Sequence, residues 1–116
     1  MKFNSIKNEI IVIGDLIIDK YKYFKAIRLS PEGPAPIVKS ISNALSIGGS
    51  GNVAASLSNL GLNTMLIFAK SLTEKPESNL FINSFAKKYL IKLKPVASKL
   101  KNAIPIKIRY YVDGKQ

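Results

Sequence analysis

Residues 47–61 read Ile47-Gly48-Gly49-Ser50-Gly51-Asn52-Val53-Ala54-Ala55-Ser56-Leu57-Ser58-Asn59-Leu60-Gly61. Three glycines fall within four positions, Asn52 follows them, and small residues predominate after it. Glycine lets the backbone take positive φ and lets a ligand come close. The spacing predicts a helix over 52–60, with Val53, Leu57 and Leu60 on one face, Ala54 beside them, and Gly61 as its C-cap. The start of such a helix presents unpaired N–H groups and a positive dipole end, which suits an anion or a polar ligand. Two ligand classes fit this loop, and its surroundings choose between them.

Working outward, residues 9–14 form a continuous β-branched run ending at Gly14, the pattern of a strand buried on both faces. Residues 64–69 read as a second buried strand. Between them, residues 21–29 mix aromatics with lysines and read as an amphipathic extended segment, and 37–41 as a short strand. Pro31, Pro34 and Pro36 make the intervening segment a loop, since proline is excluded from helix interiors and central strands. Residues 42–46 look polar and irregular. Beyond 69, an amphipathic helix is expected over 77–89 with Leu80, Phe81, Phe85 and Ala86 on its apolar side. A short strand over 91–93 and another over 104–112 follow, with Pro105 at the start of the latter and Asp113-Gly114 as a hairpin turn. The order predicts an α/β domain: core strands at about 9–14 and 64–69 in a parallel sheet, with a small β lid from about 21–29 and 37–41.

With 116 residues, 47% of them hydrophobic, the chain can form one domain or part of one and bury a core. Cysteine and histidine are both absent, which excludes disulfides, thiolate zinc sites and a histidine base. Only seven acidic residues stand against 18 basic ones, a net charge of +11. Between Ser78 and Val112 there is no acidic residue, while Lys87, Lys88, Lys92, Lys94, Lys99, Lys101, Lys107 and Arg109 are present. That field attracts nucleic acid, anionic lipid or phosphorylated substrates. Lysine far outnumbers arginine, however, so a solvated lysine face is expected rather than a specific nucleic-acid site. The first apolar run is broken by Gly14 and Asp15, unlike a signal peptide, and no window is long enough to span a membrane. No membrane partner and a cytoplasmic location are therefore expected.

The dinucleotide fingerprint G-x-G-x-x-G/A fits Gly49, Gly51 and Ala54. Its context does not fit. The fingerprint needs a buried strand directly before it and an acidic residue at the end of the next strand. Here the approach is polar, and the next strand ends Phe68-Ala69-Lys70, with Glu74 only beyond it.

Four blocks carry a different resemblance: Val12-Ile13-Gly14-Asp15 with Ile18-Asp19-Lys20-Tyr21; Arg28 through Pro36; Gly48 through Ala54; and Asn59-Leu60-Gly61. Together they resemble the N-terminal part of the ribokinase-like carbohydrate kinase family. The second block is most similar to the bacterial heptose-7-phosphate kinases of ADP-heptose synthesis. The resemblance covers about residues 10–68. It implies the N-terminal portion of a Rossmann-type parallel sheet with a β lid, and a sugar phosphate as substrate. Asp19, five residues after Gly14, matches the family's sugar-binding aspartate. Gly48 and Gly49 match its glycine pair, and Asn52 its hydroxyl-binding asparagine. Asp15 either contacts sugar or caps a turn. Asn52 is a competent N-cap, a ligand contact, or both. Arg28 reaches a substrate phosphate or a carboxylate such as Glu32.

The chain also departs from the family pattern. Ala69 through Glu74 replaces a glycine-rich acidic turn, and Gln116 comes before the family's second signature. That signature holds the catalytic aspartate, the anion hole and the pocket for ATP and magnesium. No catalytic residue is therefore expected here, and the chain is expected to be inactive alone. The partners implied are a second copy through the lid or a complementing C-terminal chain. The alternatives are a non-catalytic remnant and a basic nucleic-acid-binding module.

Overall fold

The computed structural model describes residues 9–116. Its elements are β1 (Ile10–Ile13), β2 (Leu16–Leu29), β3 (Pro36–Gly49), α1 (Ser50–Asn59), β4 (Thr64–Lys70), α2 (Pro76–Tyr89), β5 (Lys92–Ala97) and β6 (Ile106–Val112). They fall into two compact units. One holds the chain up to Ile18 and Ile47–Pro105; the other holds Asp19–Ser46 and Ile106–Gln116.

The first unit is built on a parallel sheet of order β1-β4-β5. The β1–β4 register sets Ile10 beside Thr64 and Ile13 beside Ile67. The apolar runs at 9–14 and 64–69 are thus adjacent parallel strands, as a strand–helix–strand unit requires. Thr64, Leu66 and Phe68 of β4 point into the core with Ala54, Ala55, Ile82, Phe85, Ile91 and Ile104. Leu16 and Ile18, at the start of β2, are also buried.

Several elements differ from the sequence expectation. The buried side of α1 is Gly51, Ala54 and Ala55, while Val53 and Leu60 are half exposed. Small residues let the helix backbone approach the sheet closely, and this outweighs side-chain size in choosing the buried face. The helix begins at Ser50 with Gly49 as N-cap, so Asn52 lies within its first turn and is not the cap. Gly61, at φ 86, follows the last turn in the left-handed conformation that glycine favours. In α2 the buried stripe is Ser78, Ile82 and Phe85, and Leu80 is exposed. This helix carries Pro76 in its first turn, Glu77 near its N-terminus and Lys87 and Lys88 near its C-terminus, all suited to the helix ends. β1 is not buried on both faces, since Ile11 and Ile13 are exposed. β5 extends past residue 93 through Pro95, which an edge strand accepts because one side of its backbone needs no ladder partner.

The second unit is a three-stranded sheet of order β3-β2-β6. Residues 42–46 continue β3 rather than breaking it. Their polar side chains are largely exposed, so backbone pairing with β2 and not burial makes this a strand. Ser30 N donates to Ala35 O at 2.7 Å across the proline loop. β6 starts at Ile106, because Ile104 is buried in the first unit and Pro105 O accepts from Ile18 N. Tyr111 sits against Tyr21 and Tyr23, and Tyr110 against Phe24, with ring centroids 5.4–6.2 Å apart. Asp113 and Gly114 both take positive φ in the final turn, and Asp113 Oδ1 accepts from Ala26 N at 3.1 Å.

Candidate functional site

The carboxyl ends of parallel strands are where α/β sheets bind ligands, because the connecting loops splay apart there. In the first unit a cleft of about 230 Å³ opens at this end. It is lined by Ile13, Gly14 and Asp15 after β1, by Ile67, Phe68 and Ala69 of β4, and by Val96 of β5. Asp15 is exposed and brings the cleft its one carboxylate.

The glycine loop is bound to this strand end. Ser50 N, in the first turn of α1, donates to Asp15 O at 2.9 Å, and Gly14 N donates to Ile67 O at 3.2 Å. Gly49 has φ 58 and ψ −137, a region that residues with a side chain rarely enter. A Cβ there would lie 2.3 Å from Asp15 O. A Cβ on Gly51 would lie 2.5 Å from Ile47 Cγ1. The glycines thus have a packing role that stands without any ligand. Gly48 ends β3 half-buried beside Gly49. Ser50 Oγ is buried with no hydrogen-bond partner in the structure, an unusual state for a hydroxyl. Asn52 is exposed on the first turn of the same helix.

The first unit therefore holds Asp15, Gly48, Gly49 and Asn52. Asp19 and Arg28 both lie on β2 within the second unit, Asp19 half-buried and Arg28 exposed.

Glu74 escaped the sequence reading as a structural centre. It is only 7% exposed. Its carboxylate accepts from Ser71 N at 2.8 Å, Ala103 N at 2.7 Å and Ile104 N at 3.3 Å. Ser71 Oγ also donates to Lys101 O at 3.0 Å. Glu74 so ties the loop after β4 to the loop after β5. The residues it joins are about 30 positions apart, beyond any local pattern. With its oxygens turned to backbone N–H groups, Glu74 does not supply the ribose contact of a dinucleotide site. The strand before α1 is also wrong for that site, since β3 belongs to the β3-β2-β6 sheet and not to the parallel one.

The basic run from Lys87 onward is spread over separate elements. Lys87 and Lys88 end α2, Lys92 and Lys94 lie on β5, and Lys107 and Arg109 lie on β6 in the other unit. Lys88 Nζ lies 5.3 Å from the Tyr89 ring centre, and Lys92 Nζ pairs with Glu9 at 3.4 Å. Among the described residues, no helix is long and apolar enough to cross a membrane.

No family model matches the chain. Part of it is similar to curated proteins named "Bifunctional protein HldE". The identity is 48% over 52 residues with the Methylococcus capsulatus protein, covering 45% of this chain and 11% of the relative. It is 48% over 58 residues with that of Helicobacter acinonychis, 50% of this chain and 12% of the relative. With that of Proteus mirabilis it is 37% over 68 residues, 59% and 14% respectively. Among solved structures, a carbohydrate kinase from Agrobacterium tumefaciens superposes with a TM-score of 0.69 at 21% identity, covering 99% of this chain and 33% of that one. Phosphofructokinase-2 from Escherichia coli in complex with fructose-6-phosphate gives 0.55 at 16% identity, covering 90% of this chain and 31% of that one. Ribokinase from Cryptococcus neoformans gives 0.55 at 13%, covering 91% and 31%. The mixed α/β fold with its parallel β1-β4-β5 sheet is that of ribokinase-like carbohydrate kinases. The chain spans about a third of these structures and little more than a tenth of the curated relatives.

Proposed function

We propose that this chain is the sugar-binding part of a kinase that phosphorylates a heptose phosphate with ATP, in the making of ADP-heptose for lipopolysaccharide, in the cytoplasm. The observation that supports it most is the 48% identity to bifunctional HldE proteins over 52 and 58 residues. A sugar offers a ring of hydroxyls, and a carboxylate accepts from two of them through charge-assisted bonds. Asp19 is assigned that role by the resemblance. Asn52, exposed on the first turn of α1, is assigned a second hydroxyl. Asp15 lines the cleft; the resemblance assigns Gly48 and Gly49 a close backbone approach to the sugar and Arg28 the substrate phosphate. A second copy pairing through β2 and β3 is part of this reading.

The residues present do not fit ATP and magnesium. Glu74 is committed to three backbone N–H groups and Asp113 to Ala26 N. No transfer step is therefore assigned to this chain, and it is inactive alone in this reading.

Calorimetry with heptose 7-phosphate tests the binding roles. Removing a charge-assisted bond costs roughly 1.5–3 kcal/mol, so Asp19→Ala weakens affinity roughly 10- to 150-fold, and Asn52→Ala less. Equal affinity in Asp19→Ala and the unmodified chain refutes the assignment. A coupled ATPase assay with magnesium and the same sugar should give no turnover above the enzyme-free blank.

A further inference from the structure

A second pocket, of about 300 Å³, lies in the first unit near the carboxyl ends of β4 and β5. It is lined by Lys70 at the end of β4, Ser71 and Leu72 just after it, Asn79 of α2, and Pro95 and Ala97 of β5. None of these residues lines the cleft that holds Asp15. Side chains alternate between the two faces of a strand, so Leu66, Phe68 and Lys70 point the same way, and Leu66 and Phe68 are buried in the core. The register sets Pro95 beside Phe68 and Ala97 beside Lys70, on that same face. Ile67, Ala69 and Val96 of the Asp15 cleft belong to the other face. Lys70, Ser71 and Leu72 also stand in the segment 69–74 that departs from the carbohydrate kinase pattern, so the resemblance gives this pocket no role.

Hydrogen bonds fix the rim. Ser98 N donates to Lys70 O at 3.0 Å, Thr73 N to Ser71 Oγ at 3.0 Å, and Ser71 N to the Glu74 carboxylate at 2.8 Å. Ser71 Oγ is engaged in turn with Lys101 O. Two polar groups are left over. Lys70 is half-buried and forms no ion pair among the described residues. The carboxylate nearest to it in sequence, Glu74, is turned to backbone N–H groups. Asn79 Oδ1 is buried with no hydrogen-bond partner among the described residues. Buried carbonyl oxygens are nearly always paired, because burial strips them of water. Lys70 therefore calls for an anion, and Asn79 Oδ1 for an O–H or N–H donor.

We infer that this pocket binds a small organic anion that carries a hydroxyl, with the acid group on the Lys70 ammonium and the hydroxyl donating to Asn79 Oδ1. The acid group is a phosphate monoester or a carboxylate. Leu72, Pro95 and Ala97 give the carbon chain between the two groups an apolar wall. A volume of about 300 Å³ is at the low end for small-molecule sites, which run roughly 300–1,000 Å³, and suits a compact ligand. The net charge of +11 favours an anion. The inference stands without the kinase reading.

The isotope-labelled full chain is titrated with glycerol 3-phosphate and, separately, with glycerate, and its amide resonances are followed by NMR. Those of Lys70, Ser71, Leu72, Asn79 and Ala97 should shift saturably, while those of Asp15 and Asn52 stay in place. Lys70→Met keeps the stem, removes the charge and should weaken binding roughly ten-fold or more. Lys94→Met removes the same charge from an exposed β5 residue outside the pocket, and should bind within about two-fold of the unmodified chain. Propyl phosphate lacks the hydroxyls and should bind roughly five-fold more weakly than glycerol 3-phosphate, a difference that Asn79→Leu should erase. Either probe shifting the pocket resonances supports the inference, and the tighter one identifies the acid group. Pocket resonances unmoved at tens of millimolar ligand, equal weakening by Lys94→Met, or shifts centred on Asp15 and Asn52 overturn it. The shift map on the unmodified chain decides even where Lys70→Met fails to fold.

Discussion

Gly49→Ala separates the packing role of the glycine pair from any ligand role. The added Cβ would lie 2.3 Å from Asp15 O and 3.2 Å from two atoms of Ile17. The carbonyl cannot retreat freely, since it accepts the 2.9 Å bond from Ser50 N that anchors the first turn of α1. Three costs add. Holding a side-chain-bearing residue at this φ costs about 1–3 kcal/mol. Losing the Ser50–Asp15 bond costs about 0.5–1.5 kcal/mol. Displacing Ile17 costs about 1 kcal/mol. The sum is about 2.5–5.5 kcal/mol, a large share of a domain's usual margin of roughly 5–15 kcal/mol. With a urea slope of roughly 2 kcal/mol/M, the unfolding midpoint falls by about 1.3–2.8 M. Gly33→Ala is the control, because a Cβ there meets nothing within 4 Å and Gly33 is not among the positive-φ glycines. Its midpoint should hold or rise slightly, by about 0.4–1 kcal/mol equivalent. Urea unfolding followed by circular dichroism reads both variants without any sugar. If Gly49→Ala unfolds within about 0.3 M of the unmodified chain, a loss of only about 0.6 kcal/mol, the reasoning from the close approach is wrong.

Glu74→Ala should cost about 3–5 kcal/mol, since it strips three backbone N–H groups of a buried acceptor, and hydrogen exchange at Ser71, Ala103 and Ile104 should accelerate; unchanged protection there contradicts the clamp. Ile82→Ala should lose about 2–5 kcal/mol, whereas Leu80→Ser should change stability by less than about 0.5 kcal/mol, and thermal melts showing the reverse order reject the buried stripe of α2. Binding to DNA or RNA should be weak, independent of sequence and lost on raising salt, because the lysines act on phosphate alone; tight binding to one sequence at physiological salt, in a filter or anisotropy assay, disproves this.

Local chemistry was enough to fix much of this protein. The apolar runs at 9–14 and 64–69 became adjacent parallel strands because continuous β-branched sequence has few other low-energy solutions. Residues 50–59 became a helix, and Asp113-Gly114 a tight turn, because glycine and aspartate enter positive φ at little cost. The blocks around Gly14, Pro31, Gly49 and Asn59 carry the resemblance to carbohydrate kinases in the sequence itself. What the sequence could not decide was which surfaces meet. Val53 and Leu60 are larger than Ala54 and Ala55, yet the alanines are buried, because the distance between α1 and the sheet is set by the whole packing arrangement. Residues 42–46 have no strand-like alternation, yet they pair with β2, because ladder bonds do not depend on side-chain pattern. Ile11 and Ile13 have the sequence of a doubly buried strand, and only the tertiary structure shows one side of that strand open. Glu74 acquired its role from N–H groups about 30 residues away, a convergence that exists only once the loops after β4 and β5 are folded together.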